Sequence, residues 1–158
     1  MAKLPEPIAE LLRVALVADL TTIDARGRPV THPLIPLYDG ERILFTSSVL
    51  FSKKLEHVRR NPKVAVAISD PTALPGVPFH RATIQGDAEL DDRDVHHGWE
   101  RVMPLWRAKE PAIDRFLAQR FALPLFFERA VVSIVPRRAF LWRDGRTDRT
   151  PEVFEVAA

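Results

Sequence analysis

The 158-residue chain contains no cysteine, so a disulfide framework, a thiolate metal centre and a cysteine nucleophile are all excluded. No apolar run approaches the ~18 residues of a membrane span. The N-terminus, Met1-Ala2-Lys3-Leu4-Pro5-Glu6-Pro7, has two prolines where a secretory signal carries its apolar stretch, so the expected location is the cytoplasm. Glycine-rich phosphate loops are missing too: Gly-x-Gly-x-x-Gly, P-loop and Gly-x-Ser-x-Gly patterns do not occur, and Rossmann, NTPase and serine-hydrolase readings lose their support. Excess charge of one sign is also absent, because 23 Lys and Arg face 21 Asp and Glu. The pI of 9.3 reflects only that, without Cys and with one Tyr, little titrates between neutrality and that point.

The 46% hydrophobic and 28% charged content is that of a globular chain, and this length suffices for one core, so a single domain over 1–158 is expected. Residues 5–13 predict a short amphipathic helix with Ile8, Leu11 and Leu12 on one face. Residues 14–23 predict a strand, with a hairpin turn at 24–29 and a second strand over 30–38. Pro33 and Pro36 place that second strand at an edge, or leave one backbone side open to something else. Asp39-Gly40 turns the chain into a third strand over 42–46. Phe51, Leu55 and Val58 at i, i+4 and i+7 predict a helix that stops at Asn61-Pro62.

A strand over 63–69, a loop over 70–78 and a strand over 80–90 follow, the last carrying Gly86, which signals a bulge or a close neighbour. Asp91 or Asp92 is the expected cap of a helix through Val95, Trp99, Val102, Met103 and Trp106, kinked at Pro104. Another helix starts at Pro111 and runs through Ile113, Phe116 and Leu117. Strands over 129–135 and 138–143 meet at Pro136, and the tail is expected to fray. Six or seven strands joined mostly by hairpins, with no room between 14 and 46 for crossover helices, imply a small antiparallel barrel with added helices.

Lys53, Lys54, Arg59, Arg60 and Lys63 against Glu56 form one local basic cluster. Nucleic-acid binding through it has little support, because no aromatic platform is interleaved with those charges. The helix beginning near Ser52 follows a strand and an expected polar turn, Thr46-Ser47-Ser48. Its first N–H groups lack intrahelical partners, so a phosphate is stabilised there, aided by the Ser52 hydroxyl and by Lys53 and Lys54. Taken alone, the commoner meaning of those residues is an N-cap beside two solvated lysines. Adjacent His96 and His97 point in different directions on a helix and do not make a zinc pair. His57 and His80 read as surface or packing residues; Trp99, Met103 and Trp106 read as core. Phe126-Phe127 after Pro124 also reads as packing, with a substrate pocket or a dimer contact as the other use.

The ordered set Leu20-Thr21-Thr22-Ile23-Asp24, Gly27-Arg28-Pro29, Leu44-Phe45-Thr46, Ser52-Lys53-Lys54 and Asn61-Pro62-Lys63-Val64-Ala65 resembles the pyridoxamine 5'-phosphate oxidase-like family of flavin-binding split barrels. The resemblance covers about residues 11–90. It implies an antiparallel split β-barrel of Greek-key type, a homodimer with cofactor sites at the interface, and FMN as cofactor. The deazaflavin coenzyme F-420 and haem are the family's alternatives. It further implies a phosphate site at Thr46, Ser47, Ser52, Lys53 and Lys54, and a flavin ring along the backbone of His32, Pro33, Leu34 and Ile35. Arg81 and Trp142 are implied as a wall contributed from the facing subunit. The expected activity is hydride transfer to a small substrate, with no catalytic side chain required because the ring carries the chemistry. A non-catalytic flavin or haem carrier stays open. Vitamin B6 oxidation is not expected: the second strand has His32 and Leu37 where the oxidase has basic residues, and the acidic tail from Glu152 lacks its arginine-bearing segment.

Overall fold

A computed structural model describes residues 3–50, 52–119, 121 and 127–156. Helix α1 (Glu6–Val14) leads into β1 (Ala18–Ile23) and β2 (Pro29–Leu34), which form a hairpin with Leu20 opposite His32. Strands β3 (Leu37–Tyr38) and β4 (Ile43–Ser48) form the next hairpin. At its tip Gly40 takes φ +103°, a conformation open to glycine, while the Asp39 carboxylate accepts the N–H groups of Glu41 and Arg42 at 2.9 and 2.7 Å. Helix α2 (Lys53–Arg60) precedes β5 (Lys63–Ile68) and β6 (Arg81–Asp91). Then come α3 (Met103–Lys109), α4 (Ile113–Leu117), the long β7 (Arg129–Trp142) and β8 (Glu152–Glu155).

All strand pairs are antiparallel, in the order β2-β1-β5-β6-β7-β4-β3, with β8 added beside β7. Strands β5, β6 and β7 are sequential neighbours and β4 returns beside β7, which is a Greek-key order. The two ends of this path, β2 and β3, are separated in the chain only by Ile35 and Pro36. Three Cα steps span at most about 11 Å, so the sheet curls until its edges almost meet. The barrel is split at that seam.

Side-chain alternation builds two cores from one sheet. Leu20, Phe45, Val66, Ile84, Val132 and Ile134 fill the interior, where α1 adds Ile8, Leu11 and Leu12 and α2 adds Leu55 and Val58. Leu37, Leu44 and Val131 face outward and are covered by Trp99, Val102, Met103, Trp106, Ile113 and Phe127.

Several expectations are corrected. The strand expected over 30–38 breaks at Ile35-Pro36, because the chain leaves one sheet edge there and starts on the other. The edge position of β2 stands. The strand expected from residue 14 begins at Ala18, since α1 runs through Val14. The segment 70–78 is not all loop: Pro71–Ala73 makes a 3₁₀ turn whose Thr72 N–H is capped by the Asp70 carboxylate at 2.8 Å.

The kinked helix is instead a 3₁₀ turn, Gly98–Val102, followed by α3. Pro104 lies at the start of α3, where its missing N–H costs nothing. The capping carboxylate is Asp94, which accepts from the N–H groups of His96 and His97, while Asp91 ends β6. Pro111 precedes α4 rather than opening it. The two final strands are one, with a register shift opposite Gly86 that absorbs Pro136. The tail does not fray over 152–155. It pairs with β7 beyond the reach of β4, and the Arg138 and Arg143 guanidinium groups meet the Glu155 and Glu152 carboxylates.

Candidate functional site

A cleft of about 240 Å³ opens at the seam, lined by Pro33, Leu34 and Ile35 at the end of β2, Leu37, Thr46, Arg129 and Trp106. Each residue arrives there for a local reason. Pro33 and Pro36 bracket the crossing between sheet edges. Thr46 alternates outward from Phe45. Arg129 begins β7 beside β4, in the register that pairs Ser48 with it. Trp106 comes from α3 in the layer covering the outer face.

Arg129 is buried, and burial pushes its guanidinium down to about 10. Its Nε donates to Thr46 Oγ1 at 3.1 Å, and its Nη2 donates to Thr46 O and Oγ1 at 3.1 and 3.0 Å. The same guanidinium lies 5.4 Å from the centroid of the Trp106 ring. Lys54 is half-buried, and its ammonium is held below its ordinary value first by burial and then by the charge of Arg129. The His32 imidazole is likewise lowered, by burial and then by Lys54 and His57. Lys54 on α2 thus lies within electrostatic range of both Arg129 on β7 and His32 on β2.

At the start of α2 the Ser52 hydroxyl does not cap the helix. It lies 3.1 Å from the Ser47 hydroxyl, which donates to Ser48 O. Thr46, Ser47 and Ser48 belong to β4 rather than to a turn. Lys53 and Lys54 are one residue, about 100°, apart around the helix. Lys53 therefore faces the outer flank, exposed and paired with Glu56 at 3.1 Å, near Arg59 and Asp92. Lys54 is the lysine turned toward Arg129.

Arg81 and Trp142 stand opposite each other in the β6–β7 register. Arg81 donates to Gly145 O at 3.3 Å and Ser69 O at 2.9 Å, and its guanidinium lies over Phe79. Trp142 stacks on Phe140. They lie ten residues along β6 and eleven along β7 from the Asp91–Val131 pair that adjoins Thr46, at least about 33 Å of strand. One chain does not bring them to the cleft.

His57 packs under α2, with Nδ1 2.9 Å from Thr22 Oγ1. His80 Nδ1 accepts the Asp144 N–H. Trp99 and Met103 are core, as expected. Phe127 is buried, and its carbonyl accepts the Trp99 indole N–H at 3.0 Å, whereas Phe51, Pro124 and Phe126 lie outside the described residues. Sequence reasoning missed two site residues. Arg129 was visible as a single charge opening the apolar run Ala130 to Val135, and arginine is seldom buried without partners. Trp106 carried no signal beyond the helical spacing it shares with core residues.

This is a curled antiparallel split barrel with a cation-flanked cleft at its seam. The chain belongs to the pyridoxamine 5'-phosphate oxidase family, whose sequence model matches residues 4–143. That family binds flavins, FMN or a deazaflavin. No curated protein matches the sequence. Among solved structures, an F-420 reductase is 20% identical with TM-score 0.61, covering 86% of this chain and 98% of its own. A protein from Clostridium acetobutylicum related to general stress protein 26 is 14% identical with TM-score 0.63, covering 95% and 92%. A conserved hypothetical protein from Mycobacterium tuberculosis is 20% identical with TM-score 0.63, covering 99% and 94%. At such identities the likeness establishes the fold alone. Among the described residues no helix is long and apolar enough to cross a membrane.

Proposed function

We propose that this protein binds FMN and acts as an oxidoreductase on a small molecule. The observation that carries the reading is the placing of Lys54 with Arg129 and His32 beside the hydroxyls of Thr46, Ser47 and Ser52, where burial first and neighbouring positive charge second, from Arg129 on Lys54 and from Lys54 and His57 on His32, disfavour the charged forms. An anion placed among them relieves that repulsion and receives charge-assisted hydrogen bonds, which fits a phosphate. The open edge of β2 beside the cleft fits a planar ring lying along residues 32–35. When bound, the flavin supplies the hydride chemistry. The chain's own residues anchor the phosphate, align the ring with the strand edge, and keep water out through the α3 layer.

We infer a homodimer for the same site. The cleft of one chain is smaller than the ~300–1,000 Å³ of ordinary ligand pockets, and Arg81 and Trp142 can complete it only from a second copy. The second reading keeps the fold and exchanges FMN for deazaflavin, favoured by the F-420 reductase among the structural relatives.

The test is a titration of cofactor-free protein with FMN, riboflavin and coenzyme F-420, followed by absorbance and fluorescence, with molar mass measured by light scattering. FMN is expected to bind, and Lys54→Ala to weaken it roughly tenfold while leaving riboflavin unchanged. A protein that ignores all three molecules, or a Lys54→Ala variant with undiminished FMN affinity, overturns the reading. Binding of coenzyme F-420 alone selects the second one.

A further inference from the structure

The chain leaves β7 through a tight turn, Arg143–Gly145, in which Asp144 takes φ +54°. Among the described residues it is the one non-glycine with positive φ. Such a conformation costs free energy in a residue that carries a Cβ, and it persists where the surroundings dictate it. Three contacts dictate it here, all from the segment that leads into β6. The Asp144 N–H donates to His80 Nδ1 at 2.9 Å, and the Gly145 carbonyl accepts from Arg81 Nε at 3.3 Å. A Cβ at Gly145 would overlap the ring of Phe79, which packs against the barrel core.

The consequence falls on Arg81. Its guanidinium donates to two carbonyls, Gly145 O and Ser69 O, and lies 5.1 Å from the centroid of the Phe79 ring, with no carboxylate among these contacts. The acids of β8 go to its neighbours instead, Glu152 to Arg143 and Glu155 to Arg138. Two of the five guanidinium N–H groups are used, so a restrained cation without a counter-charge keeps three donors. Restraint by neutral acceptors preorganises an arginine for a ligand, because little side-chain freedom is left to lose on binding. Trp142 stands opposite Arg81 and immediately precedes the turn. We propose that His80 is a positioning residue: by accepting the Asp144 N–H it fixes the turn whose Gly145 carbonyl holds Arg81 in the place from which it reaches the flavin of a second copy. That destination rests on the dimeric flavin reading above; the hold of His80 on the turn does not.

The experiment uses the full chain and the variants His80→Leu, His80→Asn, Arg81→Ala and His80→Leu/Arg81→Ala. His80→Leu removes the acceptor, and His80→Asn restores one, since asparagine Oδ1 is as far along its side chain as histidine Nδ1. Hydrogen exchange of the Asp144 amide in cofactor-free protein reads the turn, and FMN fluorescence titration reads the site. Exchange is expected to quicken roughly tenfold in His80→Leu and to return toward the wild-type rate in His80→Asn. FMN affinity is expected to fall roughly tenfold in Arg81→Ala and about fivefold in His80→Leu, with His80→Asn within about twofold of wild type. The double variant is expected to bind no more weakly than Arg81→Ala, because both changes act through one guanidinium. Undiminished FMN affinity in His80→Leu, losses that add in the double variant, or no recovery in His80→Asn overturns the proposal; His80→Ala repeats the test should His80→Leu not fold. A protein that ignores FMN refutes the flavin reading and this role together, whereas FMN bound equally by wild type and Arg81→Ala refutes the role alone.

Discussion

Lys109 offers a quantitative test of how the helical layer is tied to the barrel. Its ammonium nitrogen donates to Leu12 O at 2.6 Å and to Pro36 O, so one side chain joins α3 to the end of α1 and to the link between β2 and β3. Leu12 O needs that donor, because the N–H four residues on, from Leu16, goes to Ala73 O at 2.9 Å. Burial pushes the Lys109 amine down to about 7 from an unfolded value near 10.5. A neutral amine retains two N–H donors, enough for both carbonyls.

Between those two values the unfolded chain holds a proton that the folded chain has released, so stability rises with pH across the window. Integrated from about pH 7.5 to about pH 9.5, the difference in bound protons is worth about 2.5 kcal/mol. Lys109→Met removes this titration and leaves two carbonyls without a donor, at a cost of ~1–3 kcal/mol each. Urea unfolding of both proteins at several pH values measures the gap between them. It is expected to widen by about 2.5 kcal/mol toward the alkaline end of the window. A gap that stays constant or narrows refutes the burial argument for Lys109.

Gly86→Ala would place a Cβ 2.6 Å from Ile134 Cγ2 and 2.6 Å from Val135 O, and backbone cannot yield cheaply. A loss of ~1–3 kcal/mol is expected in the same unfolding assay, with the bulge opposite Pro136 as the site of strain. Thr22→Val keeps the shape of a fully buried residue but strands His57 Nδ1, and should cost about 1–2 kcal/mol at unchanged denaturant slope. Together with Lys54→Ala, these changes separate stability from ligand binding, because Gly86 and Thr22 lie outside the seam cleft.

Much was legible before any coordinates, for reasons that are local. Asp39-Gly40 fixes a hairpin because the turn needs positive φ and a short acceptor side chain. Two prolines exclude β2 from the sheet centre, and Gly86 marks the bulge that it makes possible. The β1–β2 hairpin and the turn from β3 into β4 follow from alternation and turn chemistry alone.

What the sequence could not decide involves partners far apart in the chain. Whether the acidic tail pairs with β7 depends on where β4 ends along the same edge. Whether Lys53 or Lys54 faces the site depends on the docking angle of α2, not on their shared charge. The start of α2 at Ser52 was readable as polar and basic, but the Ser52 hydroxyl goes to Ser47, and the electrostatic partner of Lys54 is Arg129, 75 residues further on. Residue types and spacing determine which segments form strands and helices. Only the curling of the sheet, which brings β2, β4, β7 and α3 to one seam, turns Arg129 and Trp106 from core residues into the walls of a site.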